Sequence, residues 1–348
     1  MSTRVLIRTP NHLGDCIMAL PMINETREAY PGAEITVLTP EPLAELFTRN
    51  PGIDRVMTIP PQHVHGVIAI FKVKEIISPG AFEVGYILPP SFGAASSFKL
   101  GGVKERIGYI ADGRRLLLSK PLTLPEPLNS EHRSKLYFDL LRRGSGSSIN
   151  YIKPKMFLDE IDTTAGQELL NGFGVAASDK YAVIAFRAVG ESRRWGTENY
   201  TALAKQLVER HHLKVVLAGS EVDRKIGDQM VSDAGGSAGL VINLAGKTSL
   251  RELAAVCSGA ALFVGNDSGP AHLAAAVGVP LIVLSGADDP KETSPMSNNK
   301  RLVYRDQLDC ISCVKNKCPL KGEAFMRCMK EITLEMVMAE VGTVLPKP

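Results

Sequence analysis

Residues 262–286, LFVGNDSGPAHLAAAVGVPLIVLSG, decide the fold class of this 348-residue chain. The apolar pattern predicts a strand at 261–264, a helix at 268–277 and a second strand at 281–284. Because parallel strands need a crossover connection, this order is typical of a parallel sheet. The polar residues NDSG stand where the first strand ends and the helix begins. Helix amides bind anions and glycine permits close approach, so this join predicts a diphosphate site.

The same alternation of strand and helix extends over most of the chain. We therefore expect an α/β protein, and a chain longer than about 250–300 residues favours two domains over one core. The predicted strands of the first half lie at 4–8, 35–38, 55–58 and 84–88, with helices at 15–30, 42–49 and 64–77. Those of the second half lie at 181–186, 214–218, 241–244, 261–264 and 281–284, with helices at 198–211, 223–234, 250–258 and 268–277. The linker is expected at 144–148, GSGSS, or between there and about residue 179.

The composition describes a folded protein without a strong electrostatic partner. Hydrophobic residues make up 45%, charged residues 22%, and the net charge is +3, which is too weakly basic to predict nucleic-acid binding. No signal-peptide pattern is visible, and no apolar run approaches the roughly 20 residues that span a bilayer. These features predict a cytoplasmic protein whose membrane contact, if any, is peripheral. A basic, partly apolar rim at 64–73 is one candidate for that contact; a plain core helix is the alternative.

Further polar groups follow the other strands of the second half. They are Arg187 with the segment ESRRW at 191–195, then GSEVD at 219–223, then AGKTS at 245–249. Such loops can supply cations for phosphates, a carboxylate for a ribose and backbone for a base. Neither G-x-G-x-x-G nor G-x-x-x-x-G-K-[ST] is present, which argues against dehydrogenases and P-loop enzymes. The alternative is that Asp267 or Ser268 only caps its helix.

Six segments together resemble the glycosyltransferase family 9 heptosyltransferases, most closely the lipopolysaccharide heptosyltransferase II branch. The segments are NHLGDCIMALP, YILPPSFGAA, ESRRWGTENYTALAKQL, VVLAGSEVD, NLAGKTSL and NDSGPAHLAAAVGVPLIVLSGADDPKETSP. The resemblance implies a GT-B fold, two Rossmann-like doubly wound domains facing each other across a cleft. The expected domains are 1–165 for the acceptor and 175–325 for the nucleotide sugar, with a helix at 326–348 packing back toward the first. The implied reaction is inverting transfer of L-glycero-D-manno-heptose from ADP-heptose to the inner core (Kdo/heptose-lipid A), at the inner membrane, with no required cofactor.

The resemblance also assigns residues. Asp15 matches the catalytic base, whereas its position alone, at a predicted helix start, favours a cap. The donor-binding set is Arg187, Arg193, Ser220, Asp223, Thr248, Asp267, Ser268, Gly269 and His272, with Asp223 near the ribose and Thr248 near the adenine. Arg193 stands where the family usually has a lysine, and FRAVGES at 186–192 replaces the usual Pro-Gly-Ala.

An anionic acceptor calls for cations in the first domain. The candidates are Lys104, Arg106, Arg114, Arg115, Lys120, His132 and Arg133, and the adjacent pair Arg114–Arg115 is the preferred one. Asn11 and His12 are expected to position the acceptor, with His12 the second candidate for the base.

Four cysteines, Cys310, Cys313, Cys318 and Cys328, crowd the C-terminal tail. We call them the tail cysteines. Reduced thiols or local disulfides beside the C-terminal helix are the preferred interpretation, and a structural zinc or iron–sulfur site is the alternative. The rival functions are a transferase of the same fold with another nucleotide sugar or acceptor, and a non-catalytic nucleotide- or metal-binding module.

Overall fold

A computed structural model describes residues 2–126 and 131–345 of the chain. The chain divides into two compact units, Met1–Phe157 and Leu158–Pro348. Each unit is a parallel sheet covered by helices, so the predicted α/β class with two doubly wound domains is confirmed. The GSGSS segment is not itself the boundary, because Gly144 and Ser145 end a helix and Gly146 caps it in the left-handed conformation (φ 76°).

The first unit has six parallel strands in the order β3-β2-β1-β4-β5-β6. The strands are β1 Arg4–Arg8, β2 Glu34–Pro40, β3 Arg55–Ile59, β4 Val84–Ile87, β5 Glu105–Tyr109 and β6 Lys120–Leu122. The helices are α1 Leu13–Ala29, α2 Val67–Ile77, α3 Phe92–Leu100 and α4 Arg133–Ser145. Short 3-10 helices lie at Glu41–Leu46, Pro61–His63, Ser78–Gly80 and Arg114–Leu117.

The second unit repeats this arrangement, in the order β12-β11-β10-β7-β8-β9. The strands are β7 Tyr181–Ala185, β8 Lys214–Ala218, β9 Val241–Asn243, β10 Leu262–Asn266, β11 Leu281–Ser285 and β12 Lys300–Tyr304. The helices are α5 Glu160–Gly172, α6 Thr197–His211, α7 Arg224–Asp233, α8 Leu250–Ser258, α9 Gly269–Ala276, α10 Pro290–Thr293, α11 Arg327–Lys330 and α12 Leu334–Val344. Short 3-10 helices lie at Glu191–Arg193, Glu221–Asp223, Gly235–Leu240 and Gly322–Ala324.

All nine predicted strands are present, and most of them are buried on both faces, which gives an apolar signal that is easily recognised. Every residue of β7, β10 and β11 is buried. The edge strands β6 and β12 escaped prediction, as did β5, since their sequences KPL, KRLVY and ERIGY mix charged and apolar residues. The helix predicted at 42–49 is wrong; the segment is a six-residue 3-10 helix, the usual form of such short pieces.

Strand order reverses once in each sheet, between β1 and β4 and between β7 and β10. In open α/β sheets, ligands bind beyond the carboxyl ends of the strands at such a point. In the first unit this places residues 9–15, which follow β1, at the expected site. In the second unit it places residues 186–196 after β7 and 266–272 after β10.

The C-terminal helix α12 packs into the core of the second unit. Val337 and Val341 are fully buried in the same apolar cluster as Ile282 and Leu284 of β11. The expected approach of this helix to the first domain stays a prediction. Within residues 2–126 and 131–345, none of the helices has the length and apolar character needed to cross a membrane.

Candidate functional site

Asp15 lies in the first turn of α1 and pairs with an arginine from a distant helix. His12 is the N-cap of α1, and Asp15 is the third helical residue. Nη1 of Arg133, the first residue of α4, donates to Oδ1 of Asp15 at 3.1 Å. The Asp15 side chain is 20% exposed, so a ligand can reach it. The carboxylate is therefore held by a cation from α4. Asp15 is not the N-cap residue; that position is taken by His12, whose side chain makes no cap hydrogen bond.

The residues before α1 form a small polar network around a buried arginine. Oδ1 of Asn11 accepts a hydrogen bond of 2.6 Å from Nη2 of Arg8. Arg8 is 5% exposed, and burial lowers the pKa of its guanidinium to about 10. His12 is exposed at the start of α1. Asn11 thus orients a buried cation, and His12 is the residue of this turn that faces solvent.

The candidate cations of the first unit do not share one environment. Arg114 is 1% exposed; Nε donates to the carbonyl of Tyr109 at 2.9 Å, and Nη1 to that of Pro89. Backbone carbonyls at the end of the sheet take its hydrogen bonds, so Arg114 is not exposed as a cation for an acceptor, and its predicted role in acceptor binding stays a prediction. Arg115 is exposed, and His132 is the N-cap of α4, where its Nδ1 accepts from the amide of Ser134 at 3.2 Å. His132 therefore adjoins the residue that pairs with Asp15.

In the second unit, Asp267 is a buried carboxyl at the end of β10. It is 5% exposed, and its Oδ2 accepts from the hydroxyl of Ser285 at 3.1 Å. Nε2 of His272, one turn into α9, lies 3.9 Å from Oδ1. Burial, assisted by the charge of Asp288, raises the pKa of Asp267 to about 7. A carboxyl with this pKa is partly neutral at physiological pH, which weakens its repulsion of an anion.

The anion site at the start of α9 stays a prediction, and the helix start has the following geometry. Ser268 is the N-cap but makes no side-chain cap bond; its hydroxyl donates to the carbonyl of Asn266 at 3.1 Å. The amides of Ala271 and His272 donate to the carbonyl of Ser268 at 3.0 and 3.3 Å. Pro270 has no amide hydrogen. Gly269 thus supplies the first amide of this helix, and the site is narrower than four helix amides would make it.

Arg193 is anchored by a carboxylate and an amide within its own unit. Its Nη2 donates to Oδ1 of Asp288 at 2.7 Å, its Nε donates to Oδ2, and its Nη1 donates to Oδ1 of Asn316 at 2.7 Å. The planar fork is used as a bidentate clamp, a geometry a lysine cannot make. Gly190 lies close beside it: a Cβ there would be 2.4 Å from Nη1, so a larger residue would displace the guanidinium. Arg193 therefore joins the loops that follow β7 and β11.

A second ion pair links the loops that follow β7 and β8. Nε of Arg187 donates to Oδ1 of Asp223 at 3.2 Å. Oδ2 of Asp223 accepts from the amide and the hydroxyl of Ser220 at 3.0 and 2.5 Å. Asp223 is 9% exposed, so its orientation is fixed. Thr248 is half-buried in the loop before α8, and that loop is tied to the previous one by the amide of Gly246, which donates to Gly219 at 2.9 Å.

All four tail cysteines are unbridged, and so are Cys16 and Cys257. Cys328 is buried, and burial together with the charges of the other three raises the pKa of its thiol to about 11. Cys310 and Cys318 pack against the cluster that contains α12, as expected. Within the described part of the chain, no three His, Cys, Asp or Glu residues are grouped so as to hold a metal ion. Cys16 is fully buried with a pKa raised to about 12 by burial, which agrees with a packing role.

Sequence reasoning missed Ser285, Asp288 and Asn316, and it did not pair Arg133 with Asp15. Ser285 ends β11 and Asp288 follows it in the segment SGADDP. The carboxyl ends of neighbouring parallel strands meet at one edge, so these two residues carried a usable signal. Asn316 lies among the tail cysteines, and nothing local in the sequence connects it with Arg193.

Sequence comparisons with known proteins point to one family. The sequence model described as glycosyltransferase family 9 (heptosyltransferase) matches residues 70–323. Lipopolysaccharide heptosyltransferase 2 of Escherichia coli K12 is 26% identical over 310 residues, covering 86% of this chain and 87% of the relative. Two solved structures share the fold. One is E. coli ADP-heptose lps heptosyltransferase II, with a TM-score of 0.81, 24% identity and 98% of each chain covered. The other is a glycosyl transferase family 9 protein of Veillonella parvula, with a TM-score of 0.84 and 21% identity, covering 98% of this chain and 97% of that one.

Proposed function

The chain belongs to glycosyltransferase family 9, and we propose that it transfers L-glycero-D-manno-heptose from ADP-heptose to the inner core of lipopolysaccharide, with inversion at the anomeric carbon. The observation that carries the proposal is the carboxylate of Asp15, partly exposed at the carboxyl end of β1 and paired with Arg133. The names of the E. coli relative and of its solved counterpart support the sugar, the nucleotide and the acceptor. Such an acceptor places the enzyme in the cytoplasm, at the inner membrane.

In this proposal Asp15 is the general base. Inverting transfer is a single displacement, in which the acceptor hydroxyl loses a proton as its oxygen attacks the anomeric carbon. One carboxylate suffices to take that proton. Arg133 fixes one carboxylate oxygen and offsets its charge, and the start of α1 favours negative charge at this position. Asn11, His12, His132 and Arg115 are then the residues that orient the acceptor.

The second unit holds the donor. We assign the diphosphate to the amide of Gly269 at the start of α9, and to the hydroxyl of Ser268 once it turns from the carbonyl of Asn266, to which it donates in the structure. Because burial holds the pKa of Asp267 near 7, this carboxyl repels a diphosphate less than an ordinary aspartate would. The leaving ADP gains negative charge during transfer, and preorganised amides and cations stabilise that charge. Arg193 positions the loops around this site, Asp223 and Ser220 face the ribose, and Thr248 lies toward the adenine.

The test is turnover with defined substrates. The full chain is incubated with ADP-heptose and a purified inner-core acceptor, with ADP-glucose and UDP-sugars as competing donors, and the product's anomeric configuration is read by NMR. Heptosyl product with inverted configuration is expected. Transfer of another sugar in preference to heptose would replace the donor assignment, and turnover with none of the donors would favour a binding module.

The base assignment has a separate test. Asp15→Asn is expected to lower kcat by about a hundredfold to ten-thousandfold, the usual contribution of a general base, while ADP-heptose binding stays unchanged. Asp139→Asn is the matched control, because Asp139 is 21% exposed and also pairs with arginine in the same unit. Full activity in the Asp15 variant, or an equal loss in both variants, would contradict the assignment.

A further inference from the structure

Helix α2 of the first unit is apolar on two opposite faces. Ala69, Val73 and Ile77 recur every fourth residue and are buried. On the other side Val67, Ile68 and Phe71 are 72%, 71% and 54% exposed. A surface helix ordinarily carries polar residues on its outer face. For residues 64–73 the sequence left two alternatives open, a plain core helix and an exposed, partly apolar rim. Helix α2 has both features: one of its faces is buried in the core, and the opposite face is apolar and exposed.

Lysines flank the exposed apolar face of α2. At about 100° of rotation per residue, Val67, Phe71 and Ile68 span an arc of about 100°. Lys74 lies about 20° before that arc and Lys72 about 40° beyond it. Glu75 lies inside this arc, one turn beyond Phe71 toward the end of the helix. Its carboxylate is paired with Lys72 at 3.0 Å, so these two residues together carry no net charge. An apolar stripe bordered by lysines is the pattern of a helix lying in a membrane interface, because the long side chains reach the headgroups while the stripe enters the lipid.

The exposed face continues onto the neighbouring elements. The start of α3 lies close to α2, since a Cβ on Gly93 would be 3.6 Å from Cγ1 of Ile70. Phe92 precedes Gly93 at the start of α3 and is 50% exposed. The 3-10 helix Arg114–Leu117 packs against α3 and adds Leu116, 86% exposed, together with the exposed Arg115. We define the α2 surface by its apolar residues and its cations: Val67, Ile68, Phe71, Phe92, Leu116, Lys72, Lys74 and Arg115.

We propose that the α2 surface docks on an anionic lipid bilayer, with Val67, Ile68 and Phe71 at the boundary between headgroups and acyl chains. Large exposed apolar patches on folded proteins mark interaction sites. The charge of the rim selects the partner. Glu75 neutralises Lys72, but Lys74 and Arg115 keep the surface positive; a second copy docked face to face would bring these like charges together, whereas anionic headgroups neutralise them. The biological purpose rests on the proposed function, because a lipid-linked acceptor would lie at that bilayer. The binding itself requires no transferase activity.

The direct test measures binding of the full chain to vesicles by flotation. Vesicles of phosphatidylethanolamine with a minor fraction of phosphatidylglycerol are compared with pure phosphatidylcholine. The wild type is expected to bind the anionic vesicles, and Val67→Ser with Phe71→Ser to lower partitioning at least about tenfold, since each side chain buries apolar area in the lipid. Serine has nearly the same helix propensity as valine and phenylalanine, so α2 should stay folded, which circular dichroism checks. Ile161→Ser is the matched control, because Ile161 is 65% exposed on α5 of the other unit.

A charge variant separates the two contributions. Lys72→Gln with Lys74→Gln should weaken binding to anionic vesicles and make the residual binding insensitive to salt. Failure of the wild type to bind any vesicle would overturn the proposal, as would equal binding by the Val67/Phe71 double variant and the Ile161 control. Analytical ultracentrifugation tests whether a second copy of the chain occupies the surface instead. If the wild type is a dimer and the Val67/Phe71 double variant is a monomer, the surface is a dimer interface and the proposal is overturned.

Activity with two acceptors distinguishes this inference from the proposed function. The double variant should retain its turnover on a deacylated, water-soluble acceptor and lose turnover on the same acceptor embedded in vesicles. An equal loss on both would show damage to the catalytic unit and overturn the docking assignment. If the proposed function were wrong, neither acceptor would be used while vesicle binding persisted.

Discussion

Replacing Asp267 by asparagine should make the protein more stable, and increasingly so as the pH rises. The carboxyl is 5% exposed, and its nearest basic nitrogen in an ion pair is Nε2 of His272 at 3.9 Å. Ionising a buried carboxyl with weak compensation costs free energy. Asparagine keeps the size of the side chain and an oxygen that can accept from Ser285, but it carries no charge.

The magnitude follows from the pKa of Asp267, which burial raises from its ordinary value of 3.8 to about 7. Because the folded-state pKa is the higher one, the folded protein binds more protons than the unfolded chain between these two values. The free energy of unfolding therefore falls as the pH rises through this window. At 1.36 kcal/mol for each pKa unit, the loss reaches at most about 4 kcal/mol above pH 7. That is a large fraction of the roughly 5–15 kcal/mol that stabilises a typical protein.

Urea unfolding of wild type and Asp267→Asn at pH 4, 5, 6, 7 and 8 measures this effect. The difference in free energy of unfolding should be small near pH 4, grow in favour of the variant up to about pH 7, and then level off. Taking the difference at each pH cancels the other titrating groups. Asp306→Asn is the control, since Asp306 is exposed. A difference that does not change with pH, or a variant less stable than wild type at pH 8, would refute the argument.

Two further predictions concern arginines. Arg133→Gln should lower kcat on the order of tenfold with the donor KM unchanged, because the carboxylate of Asp15 loses its charge-assisted partner. Partial rescue by Arg133→Lys in steady-state assays would separate a positioning role from a folding defect. Wild-type kinetics in the glutamine variant would contradict the positioning role. The second prediction concerns Arg251, which forms a buried ion pair with Asp162. Arg251→Ala should destabilise the second unit by about 3–5 kcal/mol in urea unfolding, because the buried carboxylate loses this cation. A loss under about 1 kcal/mol, typical of exposed pairs, would show that solvent reaches the carboxylate.

The sequence by itself determined the α/β class, nine of the strands and the join at 266–269. These features are local, because a strand buried on both faces needs a continuous apolar run and a helix start needs residues that suit its first turn. The polar residues at the carboxyl ends of β1, β7, β8 and β10 followed from the same pattern. Strands β5, β6 and β12 escaped because partly exposed strands tolerate charged residues and so lose the apolar signal.

The partners of the site residues were decided by the tertiary structure. Asp15 meets Arg133 because α1 and α4 pack together although 118 residues separate the pair. Arg114 turns inward and Arg115 outward, although both read alike in sequence, since only the first reaches the carbonyls at the end of the sheet. Arg193 meets Asp288 because β7 and β11 flank β10 in the sheet. The groups that form hydrogen bonds and ion pairs with these side chains are distant in sequence. Strand order and helix packing decide which of them come close, and neither can be predicted from the residues next to each side chain in the sequence.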